Sequence, residues 1–120
     1  MPTSPDGAPV DAADNPLSAE DAKLVTLARS ARTRAGAADG AAVRDDIGRT
    51  YSASTVDLSS LRLSALQAAV AAAVASGTDR LEAACVVGVG PIGPDDQALL
   101  AEVGISTVLQ ASPDGTLRVG

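Results

Sequence analysis

Residues able to do chemistry are scarce in this chain. It has no His, and Cys85 is its only Cys. The commonest general base and metal ligand are therefore missing, and no intrachain disulfide can form. Cys85 lies in an apolar run without a basic neighbour in sequence, so it reads as a core residue and not as a nucleophile. Asp45 and Asp46 are adjacent acids that could share acid–base work, but they fall at a hairpin tip and are read as solvated. Gly88-Val89-Gly90-Pro91-Ile92-Gly93 fits the GxGxxG spacing that brings a backbone close to a pyrophosphate. Pro91 and Pro94 interrupt the helix such a site opens, and Gln110 stands in the region where an acid is expected. A nucleotide fingerprint is disfavoured for both reasons.

Composition narrows the function classes further. The chain has 120 residues, a net charge of −6, and Tyr51 as its only aromatic. An acidic surface does not suit phosphate backbones, and stacking platforms for single strands are absent, so nucleic-acid binding is not expected. Arg29, Arg32 and Arg34 could form a phosphate contact, but they read as charges favoured at a helix C-terminus. No apolar run is long enough for a membrane span. The first residues lack the basic and hydrophobic regions of a secretory signal, so a cytoplasmic location is expected. Hydrophobic residues make up 46% of the chain, almost all of them Ala, Val and Leu, which predicts closely packed elements. Tyr51 is read as packing.

The elements follow from caps and periodicity. Residues 1–16 carry Pro2, Pro5, Pro9 and Pro16 among acids and read as a disordered acidic tail. Residues 17–120 read as one domain. Ser18 caps a first helix whose stripe is Leu24, Leu27, Ala28, Ala31 and Ala35, and the segment from Gly36 to Gly40 ends it. Strands over 41–44 and 50–56 form a hairpin, followed by a loop over 57–63. Residues 64–77 predict a central helix, capped by Ser64 and ended by Gly77, with Gln67 its only other polar residue besides Ser76. A helix apolar on nearly all sides should be surrounded by protein. Then come a buried strand over 81–89, a helix over 95–103 with Ala98, Leu99, Glu102 and Val103 inward, and strands over 105–110 and 116–119. The class is α/β.

That order, with several phrases, resembles the cytidine deaminase family, particularly its short actinobacterial members. Gly40-Ala41-Ala42-Val43, the acidic turn ending Gly48-Arg49, and Thr50-Tyr51 look like the family's first hairpin. Thr55 and Asp57 fall where the family has the Asn and Glu that hold the ribose. Leu63-Ser64-Ala65-Leu66-Gln67 lies over its Cys-Ala-Glu helix start, and Pro91-Ile92-Gly93-Pro94-Asp95 over its Pro-Cys-Gly-x-Cys. The resemblance implies a three-layer sandwich, cytidine deaminase-like, with a mixed sheet of about five strands and helices on both faces. It also implies a zinc cofactor and hydrolytic deamination of cytidine or deoxycytidine to uridine or deoxyuridine.

The implied chemistry lacks its residues. Zinc needs N or S ligands, and deamination needs a Glu to move the proton. The ligand positions here are Ser64, Ile92 and Asp95, and the Glu position is Leu66. No catalytic residue, metal ligand or cofactor is therefore assigned. The expected protein has a deaminase fold without catalysis and is a binding or assembly module, with Thr55 and Asp57 as nucleoside-binding candidates. One alternative is an active cytidine or deoxycytidine deaminase with an atypical site around Asp57, Ser64 and Asp95. Another is an interaction protein with no small-molecule ligand. The resemblance further implies a homo-oligomer, dimer or tetramer, built partly through the central helix. Neither nucleic acid nor membrane is expected as a partner.

Overall fold

The computed structural model describes residues 17–118, so the tail expected over 1–16 lies outside the described residues. Helix α1 (Ala19–Ala35) starts where Ser18 accepts the Asp21 amide at 3.0 Å. It stops at Gly36, whose φ of 61° is left-handed. The chain then enters β1 (Gly40–Asp45) and turns back through β2 (Thr50–Ser54). Gly40 lies directly against the backbone of Ala28 and Arg32, and a Cβ there would collide with α1. This close approach seats α1 on the sheet.

A short hairpin of β3 (Val56–Asp57) and β4 (Arg62–Leu63) leads into α2 (Ala65–Ala75). Strand β5 (Leu81–Val87), helix α3 (Pro94–Val103), β6 (Thr107–Ala111) and β7 (Leu117–Arg118) complete the order. The sheet has five strands in the order β2-β1-β5-β6-β7. β5 and β6 are parallel with α3 crossing between them, and the other pairs are antiparallel.

Alternation along the strands divides the core between the two faces of the sheet. Ala42, Ala83, Cys85, Val87 and Ala111 pack against Leu24, Val25 and Ala28 of α1. Ala41, Val43, Ala84 and Val86 pack against Ala65, Leu66, Ala69, Val70 and Ala73 of α2 and Leu100 of α3. This is the expected α/β sandwich, with a mixed sheet and helices on both faces. Small side chains let each layer lie close, and Tyr51 packs against the α2-side cluster.

Several local expectations need correction. The predicted loop over 57–63 contains a strand, and the predicted strand over 50–56 breaks at Thr55. Thr55 leaves the main sheet because its amide bonds the Asp39 carbonyl at 3.1 Å. Val89 is 82% exposed and lies beyond β5, because β6 runs out of pairing partners at Ala111 opposite Val87. In α1, Val25 is buried while Leu27 is half-buried and Ala35 exposed. In α3, Leu100 is the buried residue, and Ala98 and Glu102 are exposed along the groove that α3 shares with α2. Nor is α2 covered on most sides by the described residues: Ala71 and Ala72 are exposed, and Val74 is 58% exposed.

The hairpin tip departs most from expectation. Asp46 is exposed, but Asp45 is only 1% exposed. Its Oδ1 accepts the amides of Arg49 at 2.8 Å and Ile47 at 3.2 Å, and its Oδ2 accepts Arg49 Nε at 2.9 Å. Burial works to raise its pKa, but the Arg49 amide, the Arg49 guanidinium and the Ile47 amide outweigh it and hold the carboxyl below its ordinary value. Thr78 closes the group, donating to Asp45 Oδ2 at 3.4 Å or to the Tyr51 hydroxyl at 2.9 Å. Asp45 thus pins the turn to the end of α2, and Tyr51 joins it through its polar tip.

Candidate functional site

The starts of α2 and α3 meet on the face of the sheet opposite α1. Ser64 has an extended backbone, and its hydroxyl accepts the Gln67 amide at 3.0 Å. Gln67 Oε1 in turn accepts the Ser64 amide at 2.8 Å, completing a capping box. The Ser64 hydroxyl also donates to Asp96 Oδ1 at 2.7 Å. Pro94 opens α3 after Gly93, which makes no side-chain capping bond, and places Asp95 and Asp96 in the first turn, where the helix dipole favours them.

Of the positions singled out from sequence, four gather here. Ser64 caps α2, and Leu66 beneath it has no exposed surface. Ile92 is half-buried against the same apolar cluster as Leu66. Asp95 is exposed and lines a groove of about 470 Å³ between α2 and α3. Leu63, Gln67, Val74 and Leu99 also line this groove, whereas Ser64, Leu66 and Ile92 do not.

Thr55 and Asp57 do not line the groove, although Leu63, which does, pairs with Val56 between them. The Thr55 hydroxyl accepts the Asp39 amide at 3.1 Å. Asp57 is 79% exposed and pairs with Arg62 at 3.3 Å across the β3–β4 hairpin. An exposed pair of this kind adds little to stability.

The donor set does not suit a zinc ion. Ser64 offers a hydroxyl already engaged twice, Ile92 offers no donor, and Asp95 is the one charged group at the three positions. Cys85 cannot complete the set, because it is buried on the α1 face of the sheet, away from Ser64. Burial there pushes its thiol up to about 12, so it is neither a ready thiolate ligand nor a nucleophile. Among the described residues, no three His, Cys, Asp or Glu side chains come together to hold a metal ion.

The remaining sequence candidates have structural partners. The open side of Gly88 is filled by the Asp39 carboxylate, which leaves no cradle for a phosphate there. Arg29 Nε donates to the Pro113 carbonyl at 3.1 Å, and Arg32 Nε to the Ala38 carbonyl at 3.0 Å. Sequence reasoning misses Asp96 as the partner of Ser64. The Ser-x-x-Gln spacing is a legible capping signal, but nothing in sequence says which acid will face it.

Among the described residues, no helix is long and apolar enough to cross a membrane. Comparison with known proteins places the fold. The family described as Cytidine deaminase-like matches residues 17–115. No curated protein matches the sequence. Among solved structures, the cytidine deaminase of Mycobacterium tuberculosis is 30% identical, with a TM-score of 0.63 over 80% of this chain and 86% of that one. The cytidine deaminase of Burkholderia pseudomallei is 22% identical, with a TM-score of 0.71 over 87% of this chain and 92% of that one. That of Mycobacterium leprae is 23% identical, with a TM-score of 0.61 over 80% of this chain and 89% of that one. The last two speak to the fold alone. With a match extending from α1 to the turn before β7, the chain belongs to the cytidine deaminase-like family.

Proposed function

We propose that this chain is a non-catalytic member of its family that works as an assembly module, self-associating as a dimer or tetramer. The observation that carries the reading is the burial of Leu66. At the position where the family resemblance has a proton-carrying Glu, an apolar side chain sits with no exposed surface. Leu66 cannot move a proton, and the Ser64 hydroxyl above it is occupied by Asp96 and the Gln67 amide. Self-association is supported by the open face of α2, where Ala71 and Val74 join Leu63 and Leu99 along one groove. A nucleoside would be held near Thr55 and Asp57, outside that groove.

The test has two arms. Zinc-supplemented protein incubated with cytidine or deoxycytidine should release no ammonia above the buffer rate. Multiple turnovers per chain that vanish in Ser64→Ala would instead favour an atypical deaminase built on Asp57, Ser64 and Asp95. Light scattering should give a multiple of the 11.8 kDa chain mass, with Val74→Glu shifting it towards a single chain. A single-chain mass for the unaltered protein at micromolar concentration would remove the assembly role.

A further inference from the structure

The starts of α2 and α3 need something to hold them together. In sequence they are linked through β5 and its flanking turns, in space they share one apolar cluster, and a groove of about 470 Å³ lies between the helices further along. In a metal-holding relative with ligands at positions 64, 92 and 95, the cation itself would be the cross-link, because it would bond both segments at once. Here the donor set does not fit a cation, yet the two segments are still in contact.

We propose that the Ser64–Asp96 hydrogen bond, beside the apolar cluster that holds Leu66 and against which Ile92 packs, is a metal-free clasp that replaces such a cross-link. The geometry is that of a charge-assisted bond: the Ser64 hydroxyl donates to a carboxylate oxygen at 2.7 Å across a sequence separation of 32 residues. The hydroxyl is held in place because the Gln67 amide donates to it from the other side. Asp96 needs no cationic partner, since the first turn of α3 favours its charge. Both partners are half-buried, so water competes for the bond less than it would on an open surface. Ile92, between β5 and α3, packs against the cluster that contains Leu66 and adds apolar contact between the two segments. Among the described residues, no other side-chain hydrogen bond joins these two helices or their caps. The clasp goes beyond the loss of turnover: it makes the junction's stability independent of metal supply.

A thermal double-mutant cycle tests this, using Asp96→Ala, Ser64→Gly and the double variant at one protein concentration. Glycine is tolerated at an N-cap, so Ser64→Gly should fold, and Asp96→Ala leaves the cap intact. Asp96→Ala should lower Tm by roughly 5 °C when Ser64 is present, and by less than half of that in the Ser64→Gly background. A chelator and a stoichiometric addition of zinc should each leave Tm unchanged. Additive effects of the two substitutions would overturn the clasp. So would a zinc-dependent rise in Tm of the unaltered protein, because a cation would then be the cross-link.

Discussion

Leu66 decides between a core reading and a catalytic reading of the start of α2, and its substitution can be worked through in numbers. Its side chain has no exposed surface and packs in the cluster with Val43, Val70, Ala84 and Ile105. Cutting it to Ala removes the transfer energy of the lost carbons and leaves a void, together about 3–5 kcal/mol at sites that relax poorly. The aromatic packed against this cluster, Tyr51, is tied at its hydroxyl to Thr78 and is not free to swing into the space, which keeps the cost within that range. For a chain of 120 residues the unfolding entropy is about 0.25 kcal/mol per degree, so Leu66→Ala should lower Tm by roughly 12–20 °C. Leu66→Met keeps the volume and should cost less than about 1.5 kcal/mol, or about 6 °C. Leu66→Glu buries a carboxylate without a partner and should be at least as damaging as Ala at pH 7. Its deficit should shrink as the pH falls towards 4, because burial raises a carboxyl's pKa and favours the neutral form. Differential scanning calorimetry at one protein concentration reads all three variants. A Leu66→Glu protein that melts within about 3 °C of the unaltered chain at pH 7 would refute the reasoning, since the position would then face an accessible, polar site.

Three further outcomes follow from the described residues. Cys85, with no exposed surface and its thiol pushed up to about 12, should react with a thiol reagent at least ~10³-fold more slowly in the folded protein than in denaturant; stoichiometric labelling of the folded chain within minutes would contradict its placement. Asp45→Asn should lower Tm by roughly 5 °C at pH 7, because it loses the charge that Arg49 and the turn amides serve. The folded pKa of Asp45 is depressed, so its stabilisation is complete above the ordinary carboxylate range and is lost as pH falls through the folded value; melting curves of the two proteins should begin to converge below about pH 4 and meet only at lower pH. A variant carrying Ser64→Cys, Ile92→Cys and Asp95→Cys should copurify with stoichiometric zinc by elemental analysis, while the unaltered chain should not, because the two helix starts already meet at Ser64 and Asp96.

The sequence alone determined the elements that carry local signals. Ser18 and Ser64 mark helix starts, and Gly36 marks an end, because capping and left-handed backbone are properties of a few neighbouring residues. It also showed that the chain has no imidazole and one thiol, the donor types a conventional zinc site uses most. The tertiary structure alone decided which groups meet. Asp96 and not Asp95 bonds Ser64, because one residue along a helix turns a side chain by about 100°. Asp45 is buried and Asp46 exposed at the same tip, since only the first falls where the amides of Ile47 and Arg49 converge. Cys85 faces α1 and not α2 because strand residues alternate between faces, and the direction of that alternation is set by pairing with β1 and β6. The exposed side of α2 is the same kind of fact: its apolar residues are read from sequence, and only the packing of the other elements shows that among the described residues Ala71, Ala72 and Val74 stay exposed.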